Sequence, residues 1–172
     1  MFGPAKKMYS KYLFLGRSVN AGIRVSRMQL TYFSDYALRL VLYLAAHSDR
    51  LVSVQEVSRA YVVSPHHMAK VARLLIDRGI VAGVRGRRGG LRLKVPADQL
   101  TIGGLVRLTE PHFDIVECFD GPTNTCPIAP ACGMKGVLRQ ASRAFLDVLD
   151  NHTVAEFLPR APALLKLWKR TA

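Results

Sequence analysis

Residues 80–95 read IVAGV, RGRRGG and LRLKV, two short strand-like runs around a glycine–arginine tip. That pattern predicts a β-hairpin, and what precedes it narrows the fold further. Three stretches of helical periodicity lead up to it. In the first, Ser34 is the expected cap, and Ala37, Leu40, Val41, Leu44 and Ala45 share one apolar face. Asp35, in its first turn, suits the positive end of the helix dipole. In the second, Ser53 and Glu56 have capping-box spacing ahead of Val57 and Ala60. The third opens with Ser64-Pro65, turns Met68, Val71, Ala72 and Leu75 inward, and stops at Gly79. Three helices and then a hairpin describe a winged helix-turn-helix over residues 28–96. Gly86, Gly89 and Gly90 do not form a dinucleotide fingerprint, which would need a helix after the glycines where this chain has a second strand.

The charge sits where such a domain would use it. Of the formal net charge of +13, residues 64–94 hold eight basic side chains against Asp77 alone, a net +7. A solvated face would mix its signs, so this concentration points to a polyanionic partner, most simply DNA or RNA, and the winged helix favours double-stranded DNA. The expected major-groove contacts are His66, His67, Lys70 and Arg73 on the third helix, with Ser64 donating to phosphate at its start. Arg85, Arg87 and Arg88 at the hairpin tip are the expected wing contacts. Residues 1–27 carry six basic side chains and no acid. They are expected to be a disordered extension or the product of a start codon set too early, Met28 being a natural start. No apolar run approaches the ~20 residues that span a bilayer, and a cytoplasmic protein with no membrane partner is expected.

Residues 97–133 should hold a short helix at Thr101–Thr109, weakened by Gly103 and Gly104, and then an irregular loop. After it, Met134, Val137, Leu138, Ala141, Ala144, Phe145, Val148 and Leu149 make one apolar stripe, with Arg139, Gln140, Arg143, Asp147 and Asp150 off it. A domain this small cannot cover so long a face alone. Residues 134–158 therefore read as a dimerisation helix plus a short helix opened by Thr153 and Glu156, in a homodimer matched to a palindromic operator. The tail, 159–172, is weakly amphipathic and suggests no role.

All three cysteines, Cys118, Cys126 and Cys132, fall in that loop with the spacing C-x7-C-x5-C among prolines and glycines. An odd number argues against a secreted disulfide framework. The C-x2-4-C knuckle usual for structural zinc is absent, and no base or second cofactor motif suggests an enzyme. Three thiolates on a loop that cannot become helix or strand suit a soft-metal or iron–sulphur site lacking one ligand. Zinc with a His or Asp as fourth ligand and a thiol redox switch remain alternatives, with His112 and His152 near enough to be considered.

The stretches MQLTYFSDYALRLVLYLA, SVQEVSRAYVVSPHHMAKVARLL and GIVAGVRGRRGG, together with the cysteine loop, resemble the NsrR-type nitric-oxide-sensing repressors. These belong to the iron–sulphur winged-helix regulator family that also includes IscR, and the resemblance covers about residues 28–158. It implies a homodimeric repressor bound to A/T-rich palindromic DNA, with a cluster on Cys118, Cys126 and Cys132, [4Fe–4S] in preference to [2Fe–2S]. It also implies that Asp35 of the other subunit is the fourth ligand. A regulator of iron–sulphur biogenesis or iron status on the same scaffold, or a zinc-stabilised winged-helix regulator, is the competing reading.

Overall fold

The computed structural model describes residues 29–170; the basic extension expected at residues 1–27 lies outside them. The fold is mainly helical with one small two-stranded antiparallel sheet. Helix α1, Tyr32–Ala46, buries Ala37, Leu40, Val41, Leu44 and Ala45 as its periodicity requires. Its cap is Thr31, not Ser34: the Thr31 hydroxyl accepts from Ser34 N–H at 3.2 Å. Ser34 lies inside the first turn, completely buried, because Thr109 donates to its hydroxyl at 2.8 Å. Glu110 completes the helix start by accepting from Thr31 N–H at 2.8 Å, a carboxylate at the positive end of the dipole.

Helix α2, Val54–Tyr61, carries only half of the expected capping box. Ser53 accepts from Glu56 N–H at 3.1 Å, but the Glu56 carboxylate is taken by Arg50 at 3.0 Å and by the Tyr43 hydroxyl at 2.9 Å. Burial first, and then Glu56, push the Tyr43 phenol up to about 12, so it remains a neutral donor. Between α2 and the next helix the chain turns at Val62, a left-handed residue with φ 54° that no glycine relieves. Helix α3, Pro65–Asp77, buries Met68, Val71, Ala72 and Leu75 against this head, and Gly79 follows it at φ 73°.

Strand β1, Val81–Val84, pairs antiparallel with β2, Gly90–Leu93, with Val84 opposite Gly90. At Gly89 an added Cβ would meet the Val84 carbonyl oxygen at 2.2 Å, so the tip closes only with glycine there. The far edge of β2 is paired too: Leu91 N–H donates to the Val52 carbonyl at 2.7 Å, and Val52 N–H to that of Leu91 at 3.0 Å. The segment ahead of α2 thereby ties the wing to the head.

Helix α4, Ile102–Thr109, crosses the end of the long helix α5, Gly133–Asp150, at Gly103. A Cβ on Gly103 would lie 2.8 Å from the backbone nitrogen of Asp150. The glycine that weakens α4 thus permits the crossing, and Arg107 clamps it by gripping both oxygens of Asp150, one of them at 2.6 Å.

The tail departs from its sequence reading. The Thr153–Glu156 capping box is present and opens a 3-10 segment, Val154–Arg160. The chain runs on past Pro159 directly into helix α6, Ala161–Lys169. Its Trp168 is 7% exposed, with its ring 4.6 Å from Tyr43, 5.6 Å from Tyr61 and 5.9 Å from His47, centroid to centroid. The tail is therefore part of the head's core. Among the described residues no helix is long and apolar enough to cross a membrane.

Candidate nucleic-acid interface and cysteine loop

Burying one face of α3 leaves the opposite face to solvent: His66, His67, Lys70 and Arg73 are all exposed. Ser64 holds the cap position, but its side chain makes no capping bond. That leaves its hydroxyl available to an outside acceptor. Arg73 pairs with Asp77 at 3.0 Å, both side chains at least half exposed. Such a pair contributes little and can be exchanged for a phosphate. His67 stacks on Tyr36 of α1 with centroids 6.3 Å apart and rings 24° from parallel, which links the two helices on this face. Across the hairpin tip Arg85, Arg87 and Arg88 are exposed, and Gly86 takes φ 110° to turn the chain. No acidic residue interrupts residues 78–97. Helix face and wing together present a continuous supply of cations.

The cysteine loop follows α4 in the chain. Between Glu110 and Cys132 the regular structure is one 3-10 turn, Glu117–Phe119, which carries Cys118. Cys126 opens a tight turn in which Ala129 N–H donates to its carbonyl at 3.2 Å, and Cys132 is the residue before α5. All three thiols are free and half-buried. Glu117 holds the loop from within, its carboxylate accepting from the Thr125 N–H and hydroxyl, and the hydroxyl bond first of all keeps it below the usual carboxylate range.

Asp35 sits in the first turn of α1, half exposed. Arg39 grips both its oxygens, Nε at 3.0 Å and a terminal nitrogen at 2.6 Å. The same guanidinium lies 5.8 Å from the Tyr36 ring and 5.6 Å from the Tyr61 ring. Among the described residues no three His, Cys, Asp or Glu side chains converge as a metal site within the single chain. The structure does not bring Asp35 and the cysteines of one chain together. Spacing alone did not single out Glu117, Tyr36 or Arg39; the one signal was that Glu117 and Thr125 each directly precede a cysteine.

The family model for Rrf2, described as an iron-dependent transcriptional regulator, matches residues 30–160. The chain belongs to the Rrf2 family. The HTH-type transcriptional regulator NsrR of Halalkalibacterium halodurans is 42% identical over 143 residues, 83% of this chain and 98% of that relative. Its namesake from Bacillus subtilis is 41% identical over the same shares. Among solved structures, the oxidized form of Staphylococcus aureus CymR superposes with a TM-score of 0.62 at 25% identity, over 76% of this chain and 96% of that one. T. potens IscR superposes with a TM-score of 0.63 at 21% identity, over 78% and 88%. Membership in Rrf2 makes this protein a DNA-binding transcriptional regulator and not an enzyme. The winged helix-turn-helix reading of the fold holds, since the Rrf2 regulators are its structural neighbours.

Proposed function

We propose that this protein is a homodimeric repressor whose operator binding is governed by an iron–sulphur cluster that reacts with nitric oxide. The observation that carries the reading is the C-x7-C-x5-C loop with three free, half-buried thiols, in a chain 41–43% identical to regulators named NsrR. The donor set fits the group. Three soft thiols can be offered from one irregular loop, and the half-exposed carboxylate of Asp35 is open to a second subunit. Cys118, Cys126 and Cys132 would hold the cluster with Asp35 of the partner subunit, [4Fe–4S] in preference to [2Fe–2S].

When bound, the cluster supplies the iron with which nitric oxide reacts. Asp35 would be the one hard oxygen donor among soft thiolates. As a ligand, Asp35 would tie the first helix of one subunit to the cysteine loop of the other. Its own neighbours lead to the reading head, through Arg39 to the Tyr61 ring on α2 and through Tyr36 to His67 on α3. A change at Asp35 would therefore reach the two recognition helices, which must stand ~34 Å apart to read both half-sites. Non-specific charge attraction survives and specific repression lifts.

The first test is iron, acid-labile sulphide and zinc content of protein purified without oxygen, with its visible spectrum before and after nitric oxide. Iron matched by sulphide and an absorption that collapses with nitric oxide are expected. Zinc without sulphide, and no response, would leave a DNA-binding protein with a structural loop. A second test addresses the ligand. Asp35→Ala should leave the helical content intact while making the cluster labile to chelators and altering its spectrum. An unchanged spectrum and lifetime would reduce Asp35 to a helix-end charge paired with Arg39.

At the wing, Arg85→Ala should weaken specific operator binding by roughly 1–3 kcal/mol at matched salt. Equal affinities for wild type and variant on the cognate operator would remove Arg85 from the interface.

A further inference from the structure

The gap between the first two cysteines is closed by side chains that the ligand pattern does not call for. Glu117 directly precedes Cys118, and Thr125 directly precedes Cys126. One carboxylate oxygen of Glu117 accepts from the Thr125 N–H at 2.5 Å and from the Thr125 hydroxyl at 2.6 Å. Within the gap, the Thr123 hydroxyl donates to Asp120 at 2.5 Å, and Cys126 N–H donates to the Asn124 side-chain oxygen at 3.2 Å. From outside, the Arg139 guanidinium of α5 lies 5.4 Å from the ring of Phe119, the residue after Cys118. Since α5 begins directly after Cys132, that contact fixes the turn bearing Cys118 to the helix that follows the third cysteine.

We propose that Glu117 is a positioning residue, whose clip to Thr125 holds Cys118 and Cys126 in register for joint ligation. It rests on the reading of this loop as the ligand-bearing one. Glu117 need not touch the bound group. An open loop must lose conformational entropy each time its second thiol is recruited. A carboxylate joined to the residues flanking both thiols has already restricted that freedom, which raises the effective concentration of one sulphur at the other. Charge-assisted bonds to the N–H and the hydroxyl together specify one loop closure where either alone would permit several. The arrangement also explains why a loop with so little regular structure has a defined path.

The experiment uses the full-length, metal-free chain in a Cys132→Ser background, so that Cys118 and Cys126 are the remaining thiols. The probe is phenylarsine oxide, which binds strongly only where two thiols can close on one arsenic. Glu117→Ala should weaken capture by about fivefold, the scale of one or two partly exposed hydrogen bonds. Glu117→Gln, which keeps an acceptor oxygen, should restore most of it, and Thr125→Val, which removes one of the two donors, should fall between. Thermal melting and far-ultraviolet dichroism should be the same in all four proteins, because the clip lies outside the core. No capture by the parent, or equal capture by the parent and Glu117→Ala, would overturn the proposal. Iron and sulphide in the same proteins with Cys132 restored report on the ligand reading separately. Strong arsenical capture in a protein that never binds iron would sink that reading and leave the clip intact.

Discussion

A chain carrying Val137→Asp and Phe145→Asp is expected to sediment as a monomer and, if the proposed operator is palindromic, to bind it about a hundredfold more weakly. The reasoning begins with α5, on which no residue is buried within the single chain. Met134, Val137, Phe145 and Val148 are 66%, 66%, 38% and 59% exposed. Burying apolar side chains of this size gains roughly 1.5–3 kcal/mol each, and several of them on one stripe suffice to hold two such helices together. A carboxylate placed in that seam loses its hydration with no partner supplied. Two linked heads bind two half-sites with the second contact made at millimolar effective concentration, and a monomer forfeits that advantage. Residual charge-driven binding should survive, steep in salt. A double variant that remains dimeric by sedimentation, or keeps full operator affinity, would show that α5 is not the interface.

Trp168→Ala should destabilise the head by about 3 kcal/mol, the scale for truncating a large aromatic in a core. The indole is wedged among Tyr43, Tyr61 and His47, the first of which also hydrogen-bonds Glu56 at 2.9 Å. Its loss leaves a cavity between α1, α2 and α6, and the short α6 has no comparable anchor: Trp168 is its one buried residue. For a domain of this size the melting temperature should fall by about 10 °C. Protease cleavage within α6 should appear before cleavage elsewhere. Trp168→Phe, which keeps much of the ring contact, should recover a large part of the loss. Equal melting of Trp168→Ala and wild type would mean that α6 is merely laid against the head.

The two regions differ in how much their sequence revealed. The interior faces of α1 and α3 were legible residue by residue, because a 3.6-residue period needs no knowledge of its partner. The start of α1 was not. Thr31 and Ser34 are both good caps, and the choice is made by Thr109 and Glu110, 75 and 79 residues away in the chain. Gly103 looked like a weak point in α4 and proves to be where Asp150 approaches, a fact invisible without α5. The tail was misjudged because its one decisive contact is with aromatic rings on α1 and α2. In the candidate site, the clustering of all three cysteines was visible in the sequence itself. Glu117 was hidden for the opposite reason: an acid beside a cysteine is unremarkable until its hydrogen bonds are seen.

Trp168 is the only tryptophan in the chain. Its place against Tyr43, Tyr61 and His47 makes the chain's indole emission a local reporter on the DNA-reading head. Light absorbed by those tyrosines can be passed to the indole at such short range. Fluorescence of the unlabelled protein can therefore follow the state of the head in real time.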